Sequence, residues 1–569
     1  MQTDKLLFPE SRKRGYFMSK KKNDTSFLVQ GSILAIASLV SRVIGLVYRI
    51  PLTAIIGDHG NDYYSCAYEI YSLLLLISSY SLPMAVSKMV SARISNGEKQ
   101  NAYRVFKGAM IFALFTGTAA CMIVFFGAEE LTRLFKTPLG VYALQVLAPT
   151  LIIVAVLGVF RGFFQGMGTM IPSAVSQIIE QIVNAVVSVG AAYVLFAYGR
   201  RIATVLGSKE HYDAAYGAAG GTLGTSAGAL CGLAFIIFVF SMFFPKFRKA
   251  MRRENKIGKK QPESYRVIFG ILIGTIVPVL MSTTIYNMVS IVDQWLFKNI
   301  ATIQGYSAAD VSEWWGIFSG KYRVLTNVPI SISTALAASC VPALAAAFAQ
   351  KDEKQVRSKI GMSMRFIMVV AMPCTAGIMV LADPIIQLLF PGSSPLAGHL
   401  LQAGGISVIF YSISTLSNAV LQGIDRMRIP VRNASVALVL HAGVIAVGMF
   451  GLKLNIYGIC VGTIAFSLIM CILNGMSVRK YSGFKPDVTK TFIKPAIASV
   501  IMGGVVYAAY FVCHKVSHSN AVSTVIAVLV GMIVYAAALL LIKGLTEEEL
   551  HSFPKGELLI RIAKKFRLL

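Results

Sequence analysis

The sequence predicts an all-α polytopic membrane protein of about 14 transmembrane helices, arranged as two parallel six-helix lobes around a central cavity plus two extra C-terminal helices. Three observations carry this expectation. Hydrophobic residues are 56% of the 569 positions and charged residues only 14%, whereas soluble domains carry roughly a quarter charged residues. Apolar runs long enough to span a bilayer recur along the chain. Short motifs of the first half also return, in the same order, in the second.

The runs fall at 27–56, 63–94, 102–127, 139–168, 172–198, 217–245, 267–299, 313–349, 356–382, 396–424, 430–452, 455–479, 492–514 and 520–543. Each reaches the ~17–25 residues that cross a hydrocarbon core. Gly and Pro mark the breaks, as in "GMGTMIP", "FPGSSP" and "RMRIP". Residues 1–26 are polar and basic, and the run that follows is too long for a signal peptide, so it is expected to remain as the first span.

Lys and Arg orient the chain, because cytoplasmic loops collect them. The segment 1–26 has seven basic and three acidic residues, net +4; 246–266 has nine and two, net +7; 479–494 has five and one, net +4. All three fall on one side if every run spans once, so both termini are expected in the cytoplasm. The chain's net charge of +27 then reflects topology and not nucleic-acid binding. The tail "LLIRIAKKFRLL" reads as an amphipathic helix on anionic inner-leaflet lipid.

The internal repeat sets the domain plan. Glu98-Lys99-Gln100 matches Glu353-Lys354-Gln355, Leu134-Phe135 matches Leu389-Phe390, and "QGMGTMIP" matches "QGIDRMRIP". Both copies start on the same side, as parallel repeats do. The expected units are a basic N-terminus (1–26), an N-lobe of helices 1–6 (27–245), a basic linker (246–266), a C-lobe of helices 7–12 (267–479), helices 13–14 (480–543) and the amphipathic tail (544–569). Two such lobes with a site between them describe an alternating-access transporter.

The motifs exclude several classes. The sequence has no G-x-x-x-x-G-K-[ST], no H-E-x-x-H, and no His/Cys set at metal-ligand spacing. Its eight cysteines are scattered, mostly within apolar runs. No catalytic residue, metal or cofactor is expected; coupling to a Na+ or H+ gradient or to the membrane potential is the candidate energy source.

Charges inside spans are rare and face a cavity or a partner. Arg42 and Arg49 lie in the first run, seven residues apart and so on one helix face, about 10 Å apart in height. Two lipid-facing arginines would cost about 5–7 kcal/mol on insertion scales, so a watered cationic cavity is the better reading. Lys321 and Arg323 enter the eighth run from its outer half and are expected to add cations from the second lobe. Four cations suit a diphosphate, which Arg grips bidentately. The polar lining and counter-ions are expected from Asp62, Glu69, Gln177, Glu180 and Asn184. Gln177, Glu180, Asn184 and Ser188 form one stripe on helix 5. Glycine ladders 158/162/166 and 220/224/228/232 permit close helix approach, and Arg161 is expected to snorkel towards the headgroups.

The stretches "SRVIGLVYRIPLTAIIG", "NDYYSCAYEIYSLL" and "SLPMAVSKMVS", with the paired "RGFFQGMGTMIPSAVSQIIEQIVN" and "LQGIDRMRIPVRN", resemble the stage V sporulation protein B-like polysaccharide/lipid II flippases. That family belongs to the multidrug/oligosaccharidyl-lipid/polysaccharide exporter superfamily. The resemblance implies a flippase in the bacterial plasma membrane that moves undecaprenyl-diphosphate-linked saccharide, foremost lipid II, from the inner to the outer leaflet for peptidoglycan synthesis. It implies a substrate site at Arg42, Arg49 and Arg323, a functional acid at the outer end of helix 1 in Asp62, and Asp293 as a cation-coupling acid. Helix 11 offers His441 and no acid, which weighs against sodium. A monomer is expected, with the cell-wall synthesis machinery as a candidate contact. The rival readings are a flippase for another lipid-linked repeat unit and a cation-coupled drug exporter.

Overall fold

A computed structural model describes residues 11–208, 210–256, 262–544, 557 and 561. Most of the expected amphipathic tail lies outside the described residues. Among them the chain is helical throughout, with no strand.

The first half contains α1 (Ser11–Leu75), α2 (Leu82–Ser95), α3 (Lys99–Leu134), α4 (Val141–Gly166), α5 (Ile171–Leu206) and α6 (Tyr212–Lys256). The second contains α7 (Tyr265–Ile303), α8 (Ala308–Ile317), α9 (Arg323–Ala349), α10 (Glu353–Val380), α11 (Ala382–Leu389), α12 (Pro395–Gly404), α13 (Ser407–Gly423), α14 (Arg428–Ala446) and α15 (Ile456–Ser482). Two more, α16 (Lys494–Ser517) and α17 (Asn520–Leu541), complete the bundle.

Local sequence explains where these helices start and stop. Pro172 opens α5 and Gly207, at φ 60°, closes it. Ser264, Ser307 and Ser519 cap α7, α8 and α17 by accepting from backbone N–H groups one turn on. Gly57 divides α1 into two arms with φ 68° and ψ −173°. Only glycine takes that conformation without Cβ strain, so Gly57→Ala should destabilise the protein by about 1–2 kcal/mol, read as a lowered thermal midpoint in detergent.

Eleven helices among the described residues are long and apolar enough to cross a membrane, or up to twelve if α12 and α13, bent by 47°, form one span. That is fewer than the fourteen apolar runs, for visible reasons. The first two runs merge into one continuous stretch, Ile36–Ser95, despite the turn at Gly57. The count covers only the described residues and leaves out α7, which nonetheless runs as one helix from Tyr265 to Ile303.

Each half has its own cores. One cluster joins α2, α3, α4 and α6 around Phe106, Phe160 and Phe163, and another packs α1 against α3 and α4 around Leu52, Tyr64 and Leu147. In the second half, Trp315, Phe318 and Tyr322 centre one cluster, and Leu344, Ile367 and Leu416 another. Helices α16 and α17 pack on α10 through Met502, Val506 and Tyr535. Helix α7 serves both halves: Ile268 and Leu272 enter the first-half core, whereas Phe297 and Ile300 enter the second. Helix α6 stays helical to Lys256, and α7 begins at Tyr265.

The glycine ladders do what their spacing predicts. A Cβ on Gly220, Gly224 or Gly228 would fall on the α5 backbone at Ala191, Ser188 or Glu180. Gly162 and Gly166 face Pro83, Val86 and Val90 of α2 in the same way.

Candidate functional site

A cavity of about 490 Å³ lies between the halves. The first arm of α1 presents Arg42, Gly45 and Arg49, at i, i+3 and i+7, to it. The second arm adds Tyr64, Tyr68 and Tyr71, again one face, together with Glu69. Helix α5 supplies Glu180, Gln181 and Asn184, and α9 supplies Arg323 and Asn327. Three arginines and two glutamates are therefore its charged lining.

The pairing within this wall separates the cations. Arg323 reaches across to Glu69 (3.1 Å), and Arg161 holds Glu180 (2.7 Å) while also donating to Ser176. Arg49 stacks its guanidinium over the Tyr64 ring at 4.1 Å, an attraction that leaves its N–H edges available. Arg42 is exposed to the cavity. Among the described residues neither Arg42 nor Arg49 has a carboxylate partner, so two guanidiniums stand ready for an anion. Asn184 donates to the Tyr48 hydroxyl (3.3 Å) and accepts from Ser188 (2.8 Å).

The Gly57 end of this cavity is sealed by contacts between the halves. Lys298 of α7 pairs with Asp62 of α1 at 2.6 Å, both side chains about 1% exposed. Lys321 pairs with Asp58 at 2.7 Å. The indole N–H of Trp315 donates to Ser65 (2.9 Å), and His59 meets Ser312 (3.1 Å). The backbones touch as well: a Cβ on Gly316 would fall on the Asp58 carbonyl, and one on Gly320 on Asn61. A π-turn at Phe318–Tyr322 makes this possible. Residues two apart on a regular helix point roughly 200° apart, yet Lys321 and Arg323 both reach α1.

A second cavity, of about 260 Å³, lies in the other half and shares Arg323 and Asn327 with the first. Asp293, Tyr411, Ser414 and Asn418 line it. His441, wholly buried on α14, binds Asp293 through Nε2 (2.5 Å) and the Gly462 carbonyl through Nδ1 (2.8 Å). The two cavities differ in charge: Arg42, Arg49, Glu69 and Glu180 line only the first, Asp293 only the second, and Arg323 both.

Three residues expected at the site, Lys321, Asp62 and Gln177, need a different placement. Lys321 is in the seal because the π-turn swings it to Asp58. Asp62 is buried against Lys298 and does not line the cavity. Gln177 lies off the cavity, accepting from Ser38 (3.2 Å), while Gln181 one turn on lines it. Glu180 lines the cavity but is engaged by Arg161, which turns inward where snorkelling was expected. Asp293 belongs to the second cavity. Sequence reasoning missed Lys298, the lone lysine in "DQWLFKNIA", which sits in the last turn of the apolar run 267–299, where a lysine ordinarily snorkels.

The sequence model described as lipid II flippase MurJ matches residues 93–531. The chain is 25% identical over 496 residues to the lipid II flippase MurJ of Bacillus subtilis, covering 84% of this chain and 88% of that one. It is 24% identical over 548 residues to stage V sporulation protein B of the same organism, covering 94% and 99%. Among solved structures, lipid II flippase MurJ in an inward closed conformation shares the fold, with TM-score 0.63 and 17% identity over 89% of this chain and 97% of that one.

Proposed function

The chain belongs to the MurJ lipid II flippase family, and from that premise we propose that it carries an undecaprenyl-diphosphate-linked saccharide, lipid II foremost, from the inner to the outer leaflet of the bacterial plasma membrane. The chain is a transporter and not an enzyme. The observation that carries the substrate reading is the pair of arginines, Arg42 and Arg49, standing without carboxylates on a cavity wall. A diphosphate offers them bidentate acceptors, and the tyrosines and Asn184 offer surfaces and hydrogen bonds for sugars.

The rest of the molecule supports this division of labour. One face of α9 meets the cavity through Arg323 and Asn327. Its other face, with Leu325, Val328 and Ile332, lines an almost wholly apolar groove of about 530 Å³ against α10, α16 and α17. A ligand with a charged head and a polyprenyl tail fits both. Rocking the lobes would break the Gly57-end seal and expose the head to the outer side. We place the basic termini and linker on the cytoplasmic side by the positive-inside rule.

The similarity to stage V sporulation protein B gives a second reading, a flippase for another lipid-linked glycan. Reconstituting the protein with fluorescent lipid II, or with an undecaprenyl-diphosphate teichoic-type precursor, separates the two. Lipid II should cross leaflets faster than in protein-free vesicles, with or without imposed Na+ or H+ gradients as the coupling dictates. Transfer of the teichoic-type lipid alone would overturn the lipid II assignment.

A further inference from the structure

His441 and Asp293 are polar groups that nothing in the diphosphate site requires. Their hydrogen bonds fix a proton count. Nδ1 of His441 faces the Gly462 carbonyl, which only accepts, so Nδ1 carries a proton. Nε2 faces Asp293 Oδ1, and a hydrogen bond there needs one further proton, on the ring or on the carboxyl. Either way the pair is neutral as a unit. Without that proton, a carboxylate oxygen would face a nitrogen lone pair in a buried site, and the contact would open.

The surroundings favour a proton over a metal ion. Hard cations take several oxygen ligands, but His441 occupies Oδ1 of Asp293. Among the described residues, no group of three or more His, Cys, Asp or Glu could hold a metal. A proton needs only the two atoms already in contact, whereas a sodium ion at Asp293 would have to compete with His441 for Oδ1. Gly462 lets α14 lie close against α15, since a Cβ there would meet Ile445 and the His441 ring. Phe466 covers the imidazole edge-on at 5.6 Å.

The pair also connects to the diphosphate site. Asp293 lines the second cavity with Arg323 of α9 and Tyr411 of α13, the charged and titratable groups that act on it from the neighbouring helices. Helix α15 contributes Thr463 and the Gly462 carbonyl, and Arg323 in turn holds Glu69 of α1. With the proton bound, Asp293 is satisfied by His441 and Arg323 is left to Glu69 or a ligand. When the proton leaves to water in the second cavity, Asp293 becomes an unpaired anion that competes for the same guanidinium.

We propose that the His441–Asp293 pair is a one-proton binding site on the wall of the second cavity, coupling proton binding to the grip of Arg323 on an anionic headgroup. The headgroup clause rests on the flippase reading; the proton site does not. The test is infrared difference spectroscopy of the full chain in lipid nanodiscs, with ring-13C histidine, over a pH titration. The His441 ring band and the Asp293 carboxylate band should change together, as one proton and no more than tenfold in ratio per pH unit. Both changes should vanish in His441→Gln and in Asp293→Asn. Should a single variant fold poorly, the double variant, which keeps a neutral hydrogen bond, should also be silent. Persistence of these bands in the variants, independent titration of the two groups, or a shift on adding NaCl at fixed pH would overturn the proposal. Because no transported lipid is present, the outcome is separate from that of the substrate assignment.

Discussion

Leaflet transfer of an undecaprenyl-diphosphate saccharide should fall about 10- to 100-fold in Arg42→Ala, because a hydrogen bond to a charged group is worth about 1.5–3 kcal/mol. The thermal midpoint should hardly move. Arg42 is exposed and has no carboxylate partner among the described residues, and substitutions of that kind alter stability by no more than ~0.5 kcal/mol. Arg323→Ala should behave differently. It removes a cation from both cavities and strands Glu69, whose side chain is only 14% exposed, so transfer and stability should fall together. Arg42→Lys keeps the charge but loses the planar fork, and should give an intermediate rate. Full transfer by both alanine variants would sink the cationic-cavity reading, whatever the carried glycan.

The contrast between Arg42 and Arg323 also shows what the sequence can and cannot reveal. Apolar run length made the helices legible, and the seven-residue spacing of Arg42 and Arg49 placed both on one face. The glycine ladders were equally legible, since close approach follows from the missing Cβ. Partnerships were not. Asp62 and Lys298 are 236 positions apart, and nothing local in either run points to the other. Lys321 departs from its expected place because it lies within a π-turn, which changes the facing of its residues, and no hydropathy pattern marks such a turn. The sequence alone points Arg161 to the headgroups, because Glu180 is brought to it only by the packing of α4 beside α5.

The seal yields the other large effect. Lys298→Ala should destabilise the protein by about 3–5 kcal/mol, because it leaves the Asp62 carboxylate buried and unpaired. Replacing both partners with apolar residues, Asp62→Leu with Lys298→Met, should be neutral or stabilising by about 1–4 kcal/mol, since the desolvation of two ions offsets much of their attraction. Stability and transport should then part company. As the halves separate at the Gly57 end, the native ions regain water, whereas an apolar pair would expose hydrocarbon to it. The double variant should therefore favour the sealed state and transfer lipid more slowly than the wild type despite a thermal midpoint at least as high. Melting curves and leaflet-transfer rates on the same preparations check this. A double variant that is as unstable as Lys298→Ala, or that transfers lipid at the native rate, would show that the pair is not a gate. The native pair then has a physical reason to be ionic: it closes the lobes firmly enough to seal them, and water takes part in reopening them.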